Sequence, residues 1–189
     1  MEFIMIKDKA KINDLFETTA CATGLGIMLF DSNLRLVSYS QPKKIVNEFY
    51  CLGMSQISKF ITEQIGELTG SRAYTYFLDD YMVCNVVLLF QQNVFNGAIV
   101  SQLMLMNRLD QKDINNLFIG FNETLQMNEL KTLLQNIPIV YYDKIIASAS
   151  ILLRVTLTLC EQLPDIQVVS KKIKTIGRPV RKFHHYIWG

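Results

Sequence analysis

The chain has 189 residues, half of them hydrophobic, which suits one domain of ordinary size with a sizeable core and excludes a disordered chain. Charge is uneven: up to residue 169 there are 13 basic and 17 acidic residues, a balance of −4, whereas the last 20 carry +6 from Lys171, Lys172, Lys174, Arg178, Arg181 and Lys182. A mildly acidic body is a poor nucleic-acid surface by itself, and the basic end is the one stretch suited to phosphate.

Residues 8–22 predict a helix, with Ile12, Leu15, Phe16 and Thr19 on one side and Gly24 ending it. A hairpin follows: a strand over Leu25–Phe30, a turn at Asp31-Ser32-Asn33 and a return over Leu34–Tyr39. Residues 43–69 read as mainly helical, with Ile45, Phe49, Leu52, Ile57, Ile61, Ile65 and Leu68 as an apolar stripe. Gly53 is placed to divide this region and Gly70 to close it. Three strands are expected next, over 72–78, 81–90 and 97–105, joined by a tight turn at Asp79-Asp80 and a loop from Gln91 to Asn96. Asp110 is placed to cap a long helix with Ile114, Leu117, Phe118, Phe121, Leu125 and Leu130 on its buried face, ended by Pro138. A last helix is expected from about 141 to 161, and Pro164 and Pro179 fall in the tail.

The expected fold class is therefore α+β: a five-stranded antiparallel sheet with flanking helices and a C-terminal helical pair. Five antiparallel strands with helices inserted after the second resembles the layout of PAS and GAF sensor domains. On this reading residues 1–138 form the sensor body, 139–163 a linker and dimerisation helix, and 164–189 a basic tail.

Two stretches carry a closer resemblance. GLGIMLFDSNLRLVSYS, from Gly24 to Ser40, and NELKTLLQNIPIVYYDKIIASASILLRV, residues 128–155, resemble the N-terminal sensor and dimerisation region of AraC/XylS-type transcription regulators of Gram-positive bacteria. The resemblance implies a ligand-sensing, dimerising regulatory module that works as a homodimer, or as a hetero-oligomer with a full-length regulator. A small molecule or peptide is the implied ligand. That family continues into two helix-turn-helix motifs, for which the 24 residues after Asp165 leave no room, so direct sequence-specific DNA binding by this chain is not expected. The alternative reading is a protein-interaction module that pairs with a full-length regulator and modulates it without ligand.

The parts for catalysis are scarce. His184 and His185 are the only histidines and fall in the tail, so no Ser-His-Asp or Cys-His arrangement is expected in the body. Cys21, Cys51, Cys84 and Cys160 form no C-x-x-C pair, which leaves no metal site to expect; a reactive Cys51 or Cys84 is the one enzymatic option. No phosphate-binding glycine loop and no cofactor are expected. The opening MEFIMIKDKAK is too short and too soon charged for a signal peptide, and the run from Val83 to Leu105 is broken by amides, so a cytoplasmic chain with no membrane contact is expected.

One polar constellation follows from strand pairing. With Asp79-Asp80 as a two-residue turn, Tyr74 faces Asn85; with Phe90 opposite Gly97, Asn85 faces Gln102. Tyr74, Asn85 and Gln102 then form a row flanked by Arg72, Tyr76 and Met104. The row is either a ligand or partner site or an ordinary, partly solvated sheet face, and a slip of one residue would scatter it. The opposite face, with Thr75, Phe77, Cys84, Val86, Leu88, Ile99, Ser101 and Leu103, is expected against the helices. Tyr50 is the candidate ligand contact on the inserted helices. Ile145, Ala149, Leu152, Leu153 and Thr156 line the expected dimer face of the last helix, or pack on its own sheet.

Overall fold

The computed structural model describes residues 9–40, 44–66, 73–120, 125–162 and 173–177. Helix α1 (Lys9–Thr23) ends where Gly24 takes a left-handed conformation and its N–H closes on the Ala20 carbonyl at 2.8 Å. Strands β1 (Ile27–Asp31) and β2 (Leu36–Tyr39) form the expected hairpin. The Asp31 carboxylate fixes its turn by accepting the Asn33 and Arg35 N–H groups at 2.9 and 2.8 Å. The inserted region is α2 (Lys44–Glu48), a π-helical turn (Phe49–Gly53) and α3 (Met54–Ile65), divided at Gly53 as predicted. Gly70 and Arg72 lie outside the described residues.

The sheet is mixed and has seven strands, not five antiparallel ones. Strands β3 (Ala73–Phe77), β4 (Met82–Gln91) and β5 (Val94–Ser101) join β1 and β2 in the order 2-1-5-4-3, every pair antiparallel. The short β6 (Met104–Leu105) pairs with β4, and β7 (Ile173–Ile176) adds to β3 in parallel. β7 falls in the stretch expected to be tail; its Ile-Lys-Thr-Ile run shows no period-two alternation, and four residues are too short a signal to stand out. The expected loop from Gln91 to Asn96 is instead a two-residue turn. Gln92 and Asn93 both take positive φ, the geometry that matches the twist of paired strands, so β4 and β5 run on almost to the tip.

The long helix expected up to Pro138 is two helices, α4 (Gln111–Gly120) and α5 (Met127–Asn136). Asp110 caps α4 as predicted, its carboxylate accepting the Asp113 N–H at 2.8 Å while Asp113 reaches back to the Asp110 N–H. A second capping pair, Gln126 with Glu129, starts α5 and explains why the helix does not run through. Phe121 lies outside the described residues. Pro138 ends α5, and α6 (Tyr142–Gln162) follows.

Both sheet faces are covered. Met28, Phe30, Tyr74, Cys84, Val86, Leu88 and Val100 pack against Phe49, Leu52, Ile57, Phe60 and Ile61 of the inserted helices and Leu117, Leu130, Leu133 and Leu134 of α4 and α5. Ile27, Leu29, Ala73, Val87, Leu89 and Ile99 pack against Ile12 and Phe16 of α1 and Leu152, Leu153, Val155 and Leu159 of α6. Helices thus cover both faces of β1, β3, β4 and β5, while β7 at the edge keeps Lys174 and Thr175 exposed. Where α6 begins, the Pro138 carbonyl and Val140 N–H bond to Leu105, which pins the entry of the helix to β6.

The docking of β7 depends on one glycine. Gly177 has φ +87, and a Cβ there would lie 2.7 Å from the Phe77 carbonyl oxygen. Gly177→Ala is expected to weaken β7 docking by ~1–3 kcal/mol. Hydrogen exchange should then quicken at Lys174–Ile176 and stay slow in β4; unchanged exchange in β7 would contradict this.

Candidate functional site

The predicted row is out by one residue at both hairpins, and the faces change accordingly. Asn85 pairs with Thr75 and Val86 with Tyr74. Val86 also pairs with Val100, so Ser101 and not Gln102 stands beside Asn85. The cause at the first hairpin is an Asx turn: Asp79 Oδ1 accepts the N–H groups of both Tyr81 and Met82 at 2.7 Å, and Leu78 N–H closes on the Met82 carbonyl. Three residues thus sit in the turn where two were expected. At the second hairpin the β4–β5 register shifts between Leu89 and Phe90.

What emerges is a buried polar seam of Thr75, Asn85 and Ser101 under α6. Asn85 is 1 % exposed, and every polar group of its side chain is used. The Thr75 hydroxyl donates to Asn85 Oδ1 at 2.9 Å. Asn85 Nδ2 donates to Ser148 Oγ at 2.8 Å and reaches the Ile145 carbonyl at 3.4 Å. Ser148 in turn donates to the Ile145 carbonyl at 2.7 Å. The Asn85 backbone N–H donates to Ser101 Oγ at 2.9 Å, because β5 ends at Ser101 and a hydroxyl takes over from the ladder. The Ser101 hydroxyl in turn donates to the Gln102 carbonyl at 3.0 Å. Gln102 closes the end by pairing with Gly26, its Oε1 accepting the Gly26 N–H at 2.9 Å and its own N–H donating to the Gly26 carbonyl.

Of the four ligand candidates, the structure brings together only Asn85 and Gln102, joined through Ser101. Tyr74 is buried on the opposite sheet face, edge-on to Phe60 at 5.2 Å. Tyr50 stands 44 % exposed on the π turn, against Phe30 and Phe49. Thr75, Ser101 and Ser148 were missed as functional partners. Ser148 was the most legible of them, being three residues from Ile145 on the apolar side of the helix. The seam holds amides and hydroxyls only, so it can position α6 but carries no proton at an ionisable group. The crevice beside it, lined by Thr19, Thr23, Gly26, Ser101 and Ser148 among others, has about 10 Å³ of free space, room for a single water.

The expected dimer face of α6 is occupied inside the protomer. Ile145, Ala149, Leu152, Leu153 and Thr156 are all buried, and the Thr156 hydroxyl bonds back to the Leu152 carbonyl. Lys144, Ala147, Ser150, Ile151, Arg154, Thr158 and Glu161 form the exposed side instead. A partner on α6 would meet those residues.

A larger groove of about 390 Å³ lies between α3, the β3–β4 turn and α4, lined by Gln56, Asp79, Asp80, Tyr81, Asn116, Leu117 and Gly120. Burial raises the Asp79 pKa above its ordinary 3.8, against the lowering effect of the two N–H groups it accepts. A carboxyl raised in the fold stabilises most below its unfolded pKa, and that contribution is lost as pH rises through the folded value. Asp79→Asn keeps an acceptor for the turn and removes the buried charge. It is expected to raise stability at pH 7 and to flatten the decline above pH 3.8, as read by urea unfolding across pH; an unchanged pH profile would refute this.

Burial also pushes up the thiols of Cys84 and Cys160, the latter to about 11, whereas Cys21 and Cys51 are exposed. Under native conditions a disulfide reagent at pH 8 is expected to modify Cys21 and Cys51 quickly and the other two only after unfolding. Fast labelling of Cys84 would contradict the packing around it. Among the described residues no cluster of three or more His, Cys, Asp or Glu could hold a metal, and no helix is long and apolar enough to cross a membrane. His184 and His185 lie outside the described residues. No family model, curated protein or solved structure matches this chain.

Proposed function

We propose that this chain is the regulatory, dimerising module of a bacterial transcription regulator of the AraC/XylS type, working in the cytoplasm. The observation that carries the reading is the strand order 2-1-5-4-3, all antiparallel, with α2–α3 inserted after β2, and a last long helix held to the sheet by Asn85. That order supports the PAS- and GAF-like reading, with β6 and the parallel β7 as additions to it. In such a module a ligand shifts the balance between two arrangements of the sheet and its terminal helix. Asn85 and Ser148 supply the link: a strand movement of β4 is transmitted to α6 through the one amide. The groove at Asp79–Tyr81 is the ligand-sized space on this reading, with Tyr50 on a separate surface.

The second reading, an interaction module that needs no ligand, is favoured by a specific observation. Asn85 and Gln102, the expected ligand row, spend their hydrogen bonds inside the protein and face no cavity of ligand size. Two measurements test the readings, the first their shared dimerisation and the second the ligand that divides them. Light scattering is expected to give twice the 21.8 kDa chain mass, falling to one on Ile151→Glu at the exposed side of α6. A melting-temperature screen against metabolites and short peptides is expected to show a rise for the sensor and none for the ligand-free module. A monomer at every concentration, with no rise in the screen, would sink both dimerisation and sensing.

A further inference from the structure

Glu48 is the last residue of α2 and leads into the π turn, yet it is only 4 % exposed. Its Oε1 accepts the Asn136 Nδ2 at 2.9 Å, across to the end of α5. Its Oε2 is buried and has no hydrogen-bond partner. No cationic side chain among the described residues bonds to either oxygen. A buried carboxylate left this way is costly, because water is lost and no opposite charge replaces it. Glu48 lines a small crevice with Gln102, Leu103, Asn136, Ile137 and Pro138, and the free space there is about 10 Å³, one water-sized particle.

We propose that this crevice binds a single monovalent cation of ammonium or alkali size, with Glu48 Oε2 as its charged ligand. The size admits one such ion and nothing bulkier. One carboxylate balances one positive charge, whereas a divalent ion calls for a richer set of carboxylates. Asn136 spends its N–H₂ group on Glu48 Oε1 and lines the same crevice, where its side-chain oxygen is the second donor to the ion. The bound ion holds the end of α2, through Glu48, to the end of α5, through Asn136. A π turn carries one residue more than an α-helix of the same length, so its loss would rotate Glu48 out of the crevice. Occupancy of the site therefore holds the π form.

The test compares melting in potassium, sodium, ammonium and choline chloride at equal ionic strength, choline being too large to enter. The wild-type chain is expected to melt about 3 °C higher in the best small cation than in choline, with saturation. Glu48→Gln keeps the shape without the charge; the rise is expected to vanish and the choline value to equal or exceed that of wild type. A measurement without any variant runs beside it: sodium NMR lines broadened by the wild-type chain and sharpened again by the preferred competitor. Equal melting in all four salts with no line broadening would mean that a water alone fills the crevice, and would overturn the proposal. So would a Glu48→Gln chain, folded by circular dichroism, that keeps the full cation-dependent rise.

Discussion

Asn85→Leu is expected to lower stability by ~2–4 kcal/mol, a large part of the 5–15 kcal/mol typical of a whole domain. Leucine has nearly the shape of asparagine, so little cavity is made; the loss comes from what is left behind. The Thr75 hydroxyl loses its acceptor and Ser148 loses its donor, both in a seam closed to solvent. A buried polar group stripped of its partner costs ~1–3 kcal/mol, more than a made hydrogen bond contributes net. The same reasoning predicts a rescue. Thr75→Val and Ser148→Ala added to Asn85→Leu remove the orphaned groups together, and the triple variant is expected to regain at least about half of the loss. Urea unfolding reads both effects. A single variant within about 0.5 kcal/mol of wild type would mean that α6 is held by apolar contacts alone. If the triple variant is stable but α6 amides exchange faster, the seam fixes where the helix sits more than how firmly it is held, which is the role the proposed regulator gives it.

That Asn85 would need partners was readable from the sequence, because an amide inside a long apolar strand has to be satisfied once buried. Which partners it finds was not readable. The answer turned on a single extra turn residue at Asp79, whose carboxylate takes two N–H groups and moves Asn85 from opposite Tyr74 to opposite Thr75. Strand faces alternate with period two, so one residue puts the right amide with the wrong neighbours. Local chemistry with a strong residue signature was legible: Gly24 closing α1, the Asp31 turn, Asp110 capping α4. Features set by distant contacts were not. Gln126 is a weak cap on its own and gains its meaning from Glu129, and β7 exists as a strand only because β3 offers an edge and Gly177 lets the chain pass Phe77. The apolar stripe on α6 marks a face that needs burial, but period alone cannot tell a helix's own sheet from a second copy; both present the same need.

Phe49→Ala is expected to be the most damaging single truncation near the inserted helices, at ~3–5 kcal/mol. The ring is fully buried at the start of the π turn and stacks on Phe30 of β1 with centroids 5.4 Å apart. Removing it leaves a cavity between the turn and the sheet and forfeits the aromatic pair, itself worth about 0.5–1.5 kcal/mol. Phe49→Leu keeps most of the volume and should cost about 1–2 kcal/mol. Tyr50, the next residue, is the control: its ring touches the same pair from outside, so Tyr50→Ala is expected to cost less than about 1 kcal/mol. The order Phe49→Ala, Phe49→Leu, Tyr50→Ala in urea midpoints is the expected outcome. If Tyr50→Ala instead costs as much as Phe49→Ala, the exposed tyrosine is covered in solution and its face belongs to an interface. If Phe49→Ala is mild, the π turn collapses to a regular α-helix without penalty, and the segment that carries Glu48 is plastic where the packing makes it rigid. The Phe30–Phe49 stack is the fully buried ring contact from the inserted helices to β1, and it works beside the contacts of Phe60 with Tyr74 and Tyr76 on β3.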